Sequence, residues 1–194
     1  DVVDRLLADS PSLKLDPRVI DGPARKVLRD ESLHSDLLVV GREGANRALP
    51  WLVGSTARSL SRHSHCPIAV VPVTWIESPA CRVVVGIEHG AGSTATLRFA
   101  ADLAAACGAT MVVVGEAPTH AAALARSYFG GAVESIADGT DLIGALIGAA
   151  QDNDVIVLGT RHHGRFAASL FGADIDPIVE RTVVPVVIVP EMNR

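Results

Sequence analysis

Short, uninterrupted runs of β-branched and aliphatic residues recur along the chain. Each run is continuous rather than alternating, which is typical of a parallel strand that is covered on both faces. The runs occupy residues 37–40, 68–71, 83–85, 111–114, 155–158 and 186–189. Between them the pattern predicts helices over residues 2–7, 24–33, 55–64, 93–107, 141–150 and 173–181. Strands that alternate with helices predict an α/β fold built on a parallel, doubly wound sheet.

The chain contains an internal repeat, which sets the predicted domain organisation. A shift of 118 positions lays residues 36–72 on residues 154–190 without a gap. The matched pairs include Asp36 with Asp154, Gly41 with Gly159, Gly54 with Gly172, Pro67 with Pro185 and Pro72 with Pro190. We therefore predict two tandem units of one α/β type, over residues 1–72 and 82–194, with a linker at residues 73–81.

The two units are unequal. Residues 82–116 form a strand–helix–strand segment ahead of the repeated part of the second unit, and the first unit has no counterpart of it. We therefore expect the first unit to lack its first two strands and the chain to begin inside a domain. Its third strand, near residues 18–20, should then have no neighbour.

Composition narrows the possible functions. The chain has 17 Lys+Arg and 22 Asp+Glu, a net charge of −5 that argues against nucleic-acid or anionic-membrane binding. Although 48% of the residues are hydrophobic, no apolar run approaches the ~18 residues that a membrane-spanning helix needs. The three cysteines are widely spaced and include no Cys-x-x-Cys, which is typical of reduced thiols in a cytoplasmic protein.

The candidate chemistry lies in the glycines of the first unit. Gly41 and Gly44 follow a predicted strand, and after nine intervening residues Gly54 and Ser55 open a helix. Glycines let a ligand approach the backbone closely, and a helix N-terminus offers free amide hydrogens and a favourable dipole to phosphate. Turn and cap chemistry explains any one of these residues, but the full spacing favours a phosphate-binding loop.

This Gly-x2-Gly-x9-Gly-Ser pattern and its flanking segments, residues 36–41 and 66–72, resemble the ATP-binding motif of the universal stress protein family in its tandem form. The resemblance implies doubly wound, parallel five-stranded sheets in the order 3-2-1-4-5, with the ligand crevice between strands 1 and 4. It implies pairing of the last strands, between the two units or across a homodimer. It also implies that the nucleotide contacts Gly41, Arg42, Gly44, Gly54, Ser55 and Thr56.

The two units differ in what the resemblance implies for ATP. In the first unit strand 1 is the missing second wall of the crevice, so we expect tight ATP binding only when upstream residues supply that strand. In the second unit His162 stands in place of Gly44 and Ala173 in place of Ser55, while Glu88 replaces the family's Asp after strand 1. These departures argue against ATP binding by the second unit.

Other interpretations remain open. Residues 90–95, with Glu116 downstream, loosely fit a dinucleotide fingerprint, and residues 63–66 (His-Ser-His-Cys) offer metal-ligand types. The repeat explains the first segment and an exposed loop the second, so no metal site is predicted. No catalytic residue is predicted either, and any ATP hydrolysis would be weak and rest on phosphate positioning. The competing function is a scaffold or interaction protein of the same fold that binds no nucleotide.

Overall fold

The structure is a computed structural model that describes residues 2–42, 54–76, 82–87, 93–115, 118–137, 141–159 and 175–190. In these residues seven strands form one mixed sheet: β1 (Leu38–Gly41), β2 (Ile68–Val71), β3 (Arg82–Ile87), β4 (Thr110–Gly115), β5 (Val133–Ala137), β6 (Val155–Gly159) and β7 (Val186–Val189). The α-helices are α1 (Val2–Asp9), α2 (Ala24–Glu31), α3 (Ser55–His63), α4 (Ser93–Cys107), α5 (Pro118–Tyr128), α6 (Leu142–Ala149) and α7 (Ile175–Arg181). None of the described helices is long and apolar enough to cross a membrane.

The strand order is β1-β2-β7-β6-β3-β4-β5. The five strands from β3 to β7 are mutually parallel and have the predicted order 3-2-1-4-5. The doubly wound α/β fold is therefore confirmed. Instead of two separate sheets, the described residues form a single sheet that both units share. The unit boundaries stay a prediction, and residues 77–81 of the linker lie outside the described residues.

Strands β2 and β7 join the two units by antiparallel pairing. Ala69 lies opposite Val187, with one further residue pair on each side. The shift of 118 positions that relates the repeats also carries Ala69 onto Val187, so a pseudo-twofold axis passes through this pair. The last strands are thus paired within the chain, which is one of the two arrangements that the resemblance implied. The pairing covers two apolar edges that would otherwise be open to other chains.

The sheet packs a hydrophobic core on each face, because alternate residues of a strand point to opposite sides. On one face Leu60 of α3, Leu146 of α6 and Ile178 of α7 pack against the strands. On the other face Leu97 of α4 and Ala122 of α5 do so. Helices on both faces explain why most strands of the second unit are continuous apolar runs.

Strand β1 was predicted to be buried on both faces, but only one of its faces packs against the core. Leu38 and Val40 pack against the core cluster that includes Leu60 of α3, but Val39 is 65% exposed because no described helix covers its side. Within the described residues no strand pairs with the outer edge of β1. Residues 18–20 are not in a strand, so the expected third strand is absent there. A strand without a neighbour leaves its backbone groups unpaired, which makes it unfavourable.

The apolar runs did not predict α5 and β5. Helix α5 begins at Pro118, and proline favours the first helical position. Strand β5 contains Glu134 and Ser135, and four of its five positions are exposed. It lies at the edge of the described sheet opposite β1, and its sequence is too polar to stand out as a buried run.

An ion pair fastens β3 to the residue that precedes β6. The Asp154 side chain is 1% exposed, and its carboxylate accepts hydrogen bonds from Arg82 Nε at 3.1 Å, Arg82 Nη2 at 2.6 Å and the Gln151 amide at 2.8 Å. The hydrogen bonds that Arg82 donates to Asp154 raise the pKa of its guanidinium. Asp36, the equivalent residue of the first unit, is exposed. Asp154 is thus a structural carboxylate.

Replacing Arg82 with leucine should destabilise the fold by about 3 kcal/mol, because the buried Asp154 carboxylate loses its charged partner. Equilibrium urea unfolding measures the change. The matched control is Asp36→Ala, at the exposed equivalent position, which should shift stability by less than about 0.5 kcal/mol. Similar losses for the two variants would contradict the structural role of the Arg82–Asp154 pair.

Candidate functional site

The two ends of the glycine loop meet at the carboxyl end of β1. Arg42 follows Gly41, the last residue of the strand, and its amide donates to the carbonyl of Val71 at 2.8 Å. The amide of Gly54 in turn donates to the carbonyl of Arg42 at 2.8 Å. These backbone bonds hold the start of α3 beside the end of β1. The structure thus brings together Gly41, Arg42 and Gly54, which the sequence placed 13 residues apart at most.

Helix α3 begins immediately after this contact. Gly54 is its N-cap and has no side chain to cap it, while its carbonyl accepts from Arg58 N at 3.0 Å. Ser55 is exposed and Thr56 half-buried, and the first turn contains no acidic side chain. The first-turn amides of a helix have no partner within it and lie at the positive end of its dipole. This end of α3 therefore suits an anion.

The middle of the motif is not part of this geometry. Gly44 and the rest of residues 43–53 lie outside the described residues. Of the six residues predicted to contact a nucleotide, the structure therefore describes five, all at the two ends of the loop.

Arg42 has a structural contact that the sequence did not predict. Its side chain is buried, and Nη1 donates to the carbonyls of Thr182 at 2.7 Å and Val179 at 3.4 Å. Both carbonyls lie at the C-terminal end of α7, where a cation is favourable. The guanidinium therefore points at the second unit. Its partners are 137 and 140 residues away in sequence, so no local pattern could have revealed them.

Gly159, which matches Gly41 in the repeat, serves packing. A Cβ at this position would collide with Thr96 Oγ1 of α4, so a glycine lets the helix lie close to the end of β6. Glu88, His162, Gly172 and Ala173 lie outside the described residues.

The alternative sites receive no support from the described part of the chain. His63 Nδ1 lies 2.9 Å from the carbonyl of Ser59, and the amide of His65 donates to Ser32 Oγ at 2.9 Å. The residues that are described contain no group of three metal-ligating side chains. The glycines of the dinucleotide-like segment, residues 90–92, and Glu116 lie outside the description.

The fold and this strand–loop–helix junction define a doubly wound α/β protein. Residues 4–72 match the model of the Universal stress protein family. Universal stress proteins from two strains of Mycobacterium tuberculosis are 30% identical over 109 residues, which cover 55% of this chain but only 40% of their own length. A universal stress protein from Archaeoglobus fulgidus matches the structure with a TM-score of 0.71 at 15% identity, over 99% of this chain and 76% of its own.

Residues 4–72 are thus similar to the universal stress protein family, and the described chain as a whole has the fold of a solved universal stress protein. Another member from Archaeoglobus fulgidus, solved in complex with dAMP, covers 58% of this chain and 99% of its own at 19% identity. Its TM-score is 0.43, and the bound dAMP belongs to that protein.

Replacing Arg42 with methionine should lower the free energy of unfolding by about 1.5–3 kcal/mol, because two helix carbonyls lose a charged donor in a buried place. Urea unfolding measures the loss. Arg29→Met is the matched control, since the Arg29 side chain is 48% exposed and should contribute less than about 0.5 kcal/mol. If the two variants were equally stable, the Arg42 contacts would have no stabilising role.

Proposed function

We propose that the first unit binds ATP, with the phosphates at the N-terminus of α3. The observation that carries the proposal is the hydrogen bond from Gly54 N to the Arg42 carbonyl. It holds the two ends of a Gly-x2-Gly-x9-Gly-Ser loop beside the first turn of a helix. Free amides at such a turn bind phosphate.

The chemistry of the first turn supports this proposal. The exposed Ser55 hydroxyl can donate to a phosphate oxygen, and no carboxylate of that turn opposes the anion. The site also lies at the carboxyl end of a parallel strand, where ligands of doubly wound sheets bind. We propose no such site in the second unit, since His162 and Ala173 replace the corresponding glycine and serine.

The position of α3 suggests what bound ATP would do. Ser55 is its first residue, and Arg58, one turn later, pairs with Glu180 of the second unit at 3.2 Å. A nucleotide at the start of α3 would therefore lie one helical turn from the junction between the units. We propose that the chain is a universal stress response module, and that ATP binding alters the contacts that this module makes. We propose no catalytic group.

The test is calorimetric titration of the chain with ATP. Since no described strand closes the outer edge of β1, we expect weak binding of one ATP, with none retained through gel filtration. Gly44→Val should abolish it, because a side chain would occupy the path of the phosphates. His162→Val, the equivalent change in the second unit, is the control and should leave the titration unchanged.

Ser55→Ala should weaken ATP binding by about 0.5–1.5 kcal/mol, the value of one lost hydrogen bond. The same titrations measure it, with Ser59→Ala, on the same helix but beyond its first turn, as the control. Equal affinity for ATP in the parent and Gly44→Val would reject the loop and favour the scaffold without nucleotide. Two ATP molecules per chain would contradict the assignment to the first unit alone.

A further inference from the structure

The strand pairing that joins the two units has a register with twofold symmetry. The axis passes through the Ala69–Val187 pair of β2 and β7. It relates α3 to α7, because the repeat aligns residues 55–63 with residues 173–181. Positions on α3 therefore have equivalents on the other side of the axis, and the residue types at these equivalents can be compared directly.

An ion pair between the two helices lies beside this axis. Arg58 of α3 pairs with Glu180 of α7, with Nη2 and Oε1 3.2 Å apart and the two side chains 39% and 35% exposed. The repeat aligns position 62 with position 180 and position 58 with position 176. The twofold equivalent of the observed pair is thus position 62 with position 176, where the sequence has Arg62 and Asp176.

The two positions of the first unit and the two positions of the second unit have side chains of opposite charge. Both positions of the first unit are arginines, Arg58 and Arg62, and both of the second are carboxylates, Asp176 and Glu180. If β2 paired with the β2 of another molecule about the same axis, each Arg58 would stand opposite an Arg62. If β7 paired with another β7, position 176 would stand opposite position 180, and both are acidic. Like charges opposite one another destabilise a contact, whereas opposite charges stabilise it.

Among the described residues, the strand ladder and the Arg42 contacts accept either unit as a partner, because both use backbone groups of that partner. Both β2 (Ile-Ala-Val-Val) and β7 (Val-Val-Ile-Val) are wholly apolar, and antiparallel ladders use backbone groups that every chain has. Arg42 likewise binds backbone carbonyls. Selection between partners must therefore come from the side chains that flank the ladder.

We propose that Arg58, Arg62, Asp176 and Glu180 determine which partner each unit accepts. The surface of β2 and α3 fits the oppositely charged unit that carries β7 and α7, and it rejects a second copy of itself. Like-unit homodimers are thereby disfavoured, and each unit pairs with the unlike unit. Opposed charges are a general means of rejecting the wrong partner.

Two double variants that exchange charges separate the choice of partner from the strength of the pairing between the two units. In Arg62→Glu/Asp176→Arg, both cross-unit pairs remain opposite in charge. In a dimer through β2, however, Arg58 now stands opposite the introduced glutamate, and in a dimer through β7 the introduced arginine stands opposite Glu180. Arg58→Glu/Glu180→Arg makes the equivalent exchange with the other pair. Reversing all four charges restores repulsion between like units and is the control.

Cysteine trapping on the symmetry axis reports the pairing. In a background with Cys66, Cys81 and Cys107 changed to alanine, Ala69→Cys forms a disulfide between two chains only when β2 meets another β2. Ala69→Cys/Val187→Cys forms one within a chain when β2 meets β7. Opposed antiparallel Cα atoms, about 4.5–5.5 Å apart, lie within disulfide range. The readout is the fraction of linked dimer on a non-reducing gel at high protein concentration.

We expect little Ala69→Cys dimer with the parent charges and about tenfold more in each exchange variant, with a return to the parent level when all four charges are reversed. The urea midpoint of each variant should match the parent, because every variant keeps opposite charges across the junction of the two units. The increase should shrink in high salt, which screens exposed charges. The same dimer fraction in the parent and in both exchange variants would overturn the proposal.

Discussion

The antiparallel pairing of β2 with β7 is the contact on which the rest of the structure depends. In the described residues the first unit contributes only β1 and β2 to the sheet, and a two-stranded ribbon is marginal by itself. Pairing with β7 extends a five-stranded parallel sheet by these two strands. It also merges their cores, so that Leu60 and Ile68 of the first unit belong to the same cluster as Ile178 and Ile188 of the second.

The candidate phosphate site is built on this junction. Arg42, at the start of the loop, bonds through its amide to Val71 of β2 and through its guanidinium to the carbonyls at the end of α7. Helix α3 then carries the first-turn amides at one end and Arg58 in its next turn. The start of the loop is thus anchored on both units.

Sequence reasoning was most successful where a feature is periodic or local. The continuous apolar runs located β1, β2, β3, β4, β6 and β7, because parallel strands between two helix layers bury both faces. It failed at β5, whose edge position tolerates Glu134 and Ser135, and at Val39, whose outer face is uncovered. In both cases the degree of burial depends on neighbours that the strand's own residues do not specify.

The sequence by itself determined the α/β class, the repeat of 118 positions and the spacing of the glycine loop, since these are properties of residue order. Only the tertiary structure decided that the two units share one sheet, that the Arg42 guanidinium binds carbonyls at the end of α7, and that Gly159 makes room for Thr96. The physical reason is distance along the chain. Each of these contacts joins residues more than 60 positions apart, and only the packing of the complete sheet brings them within a few ångströms.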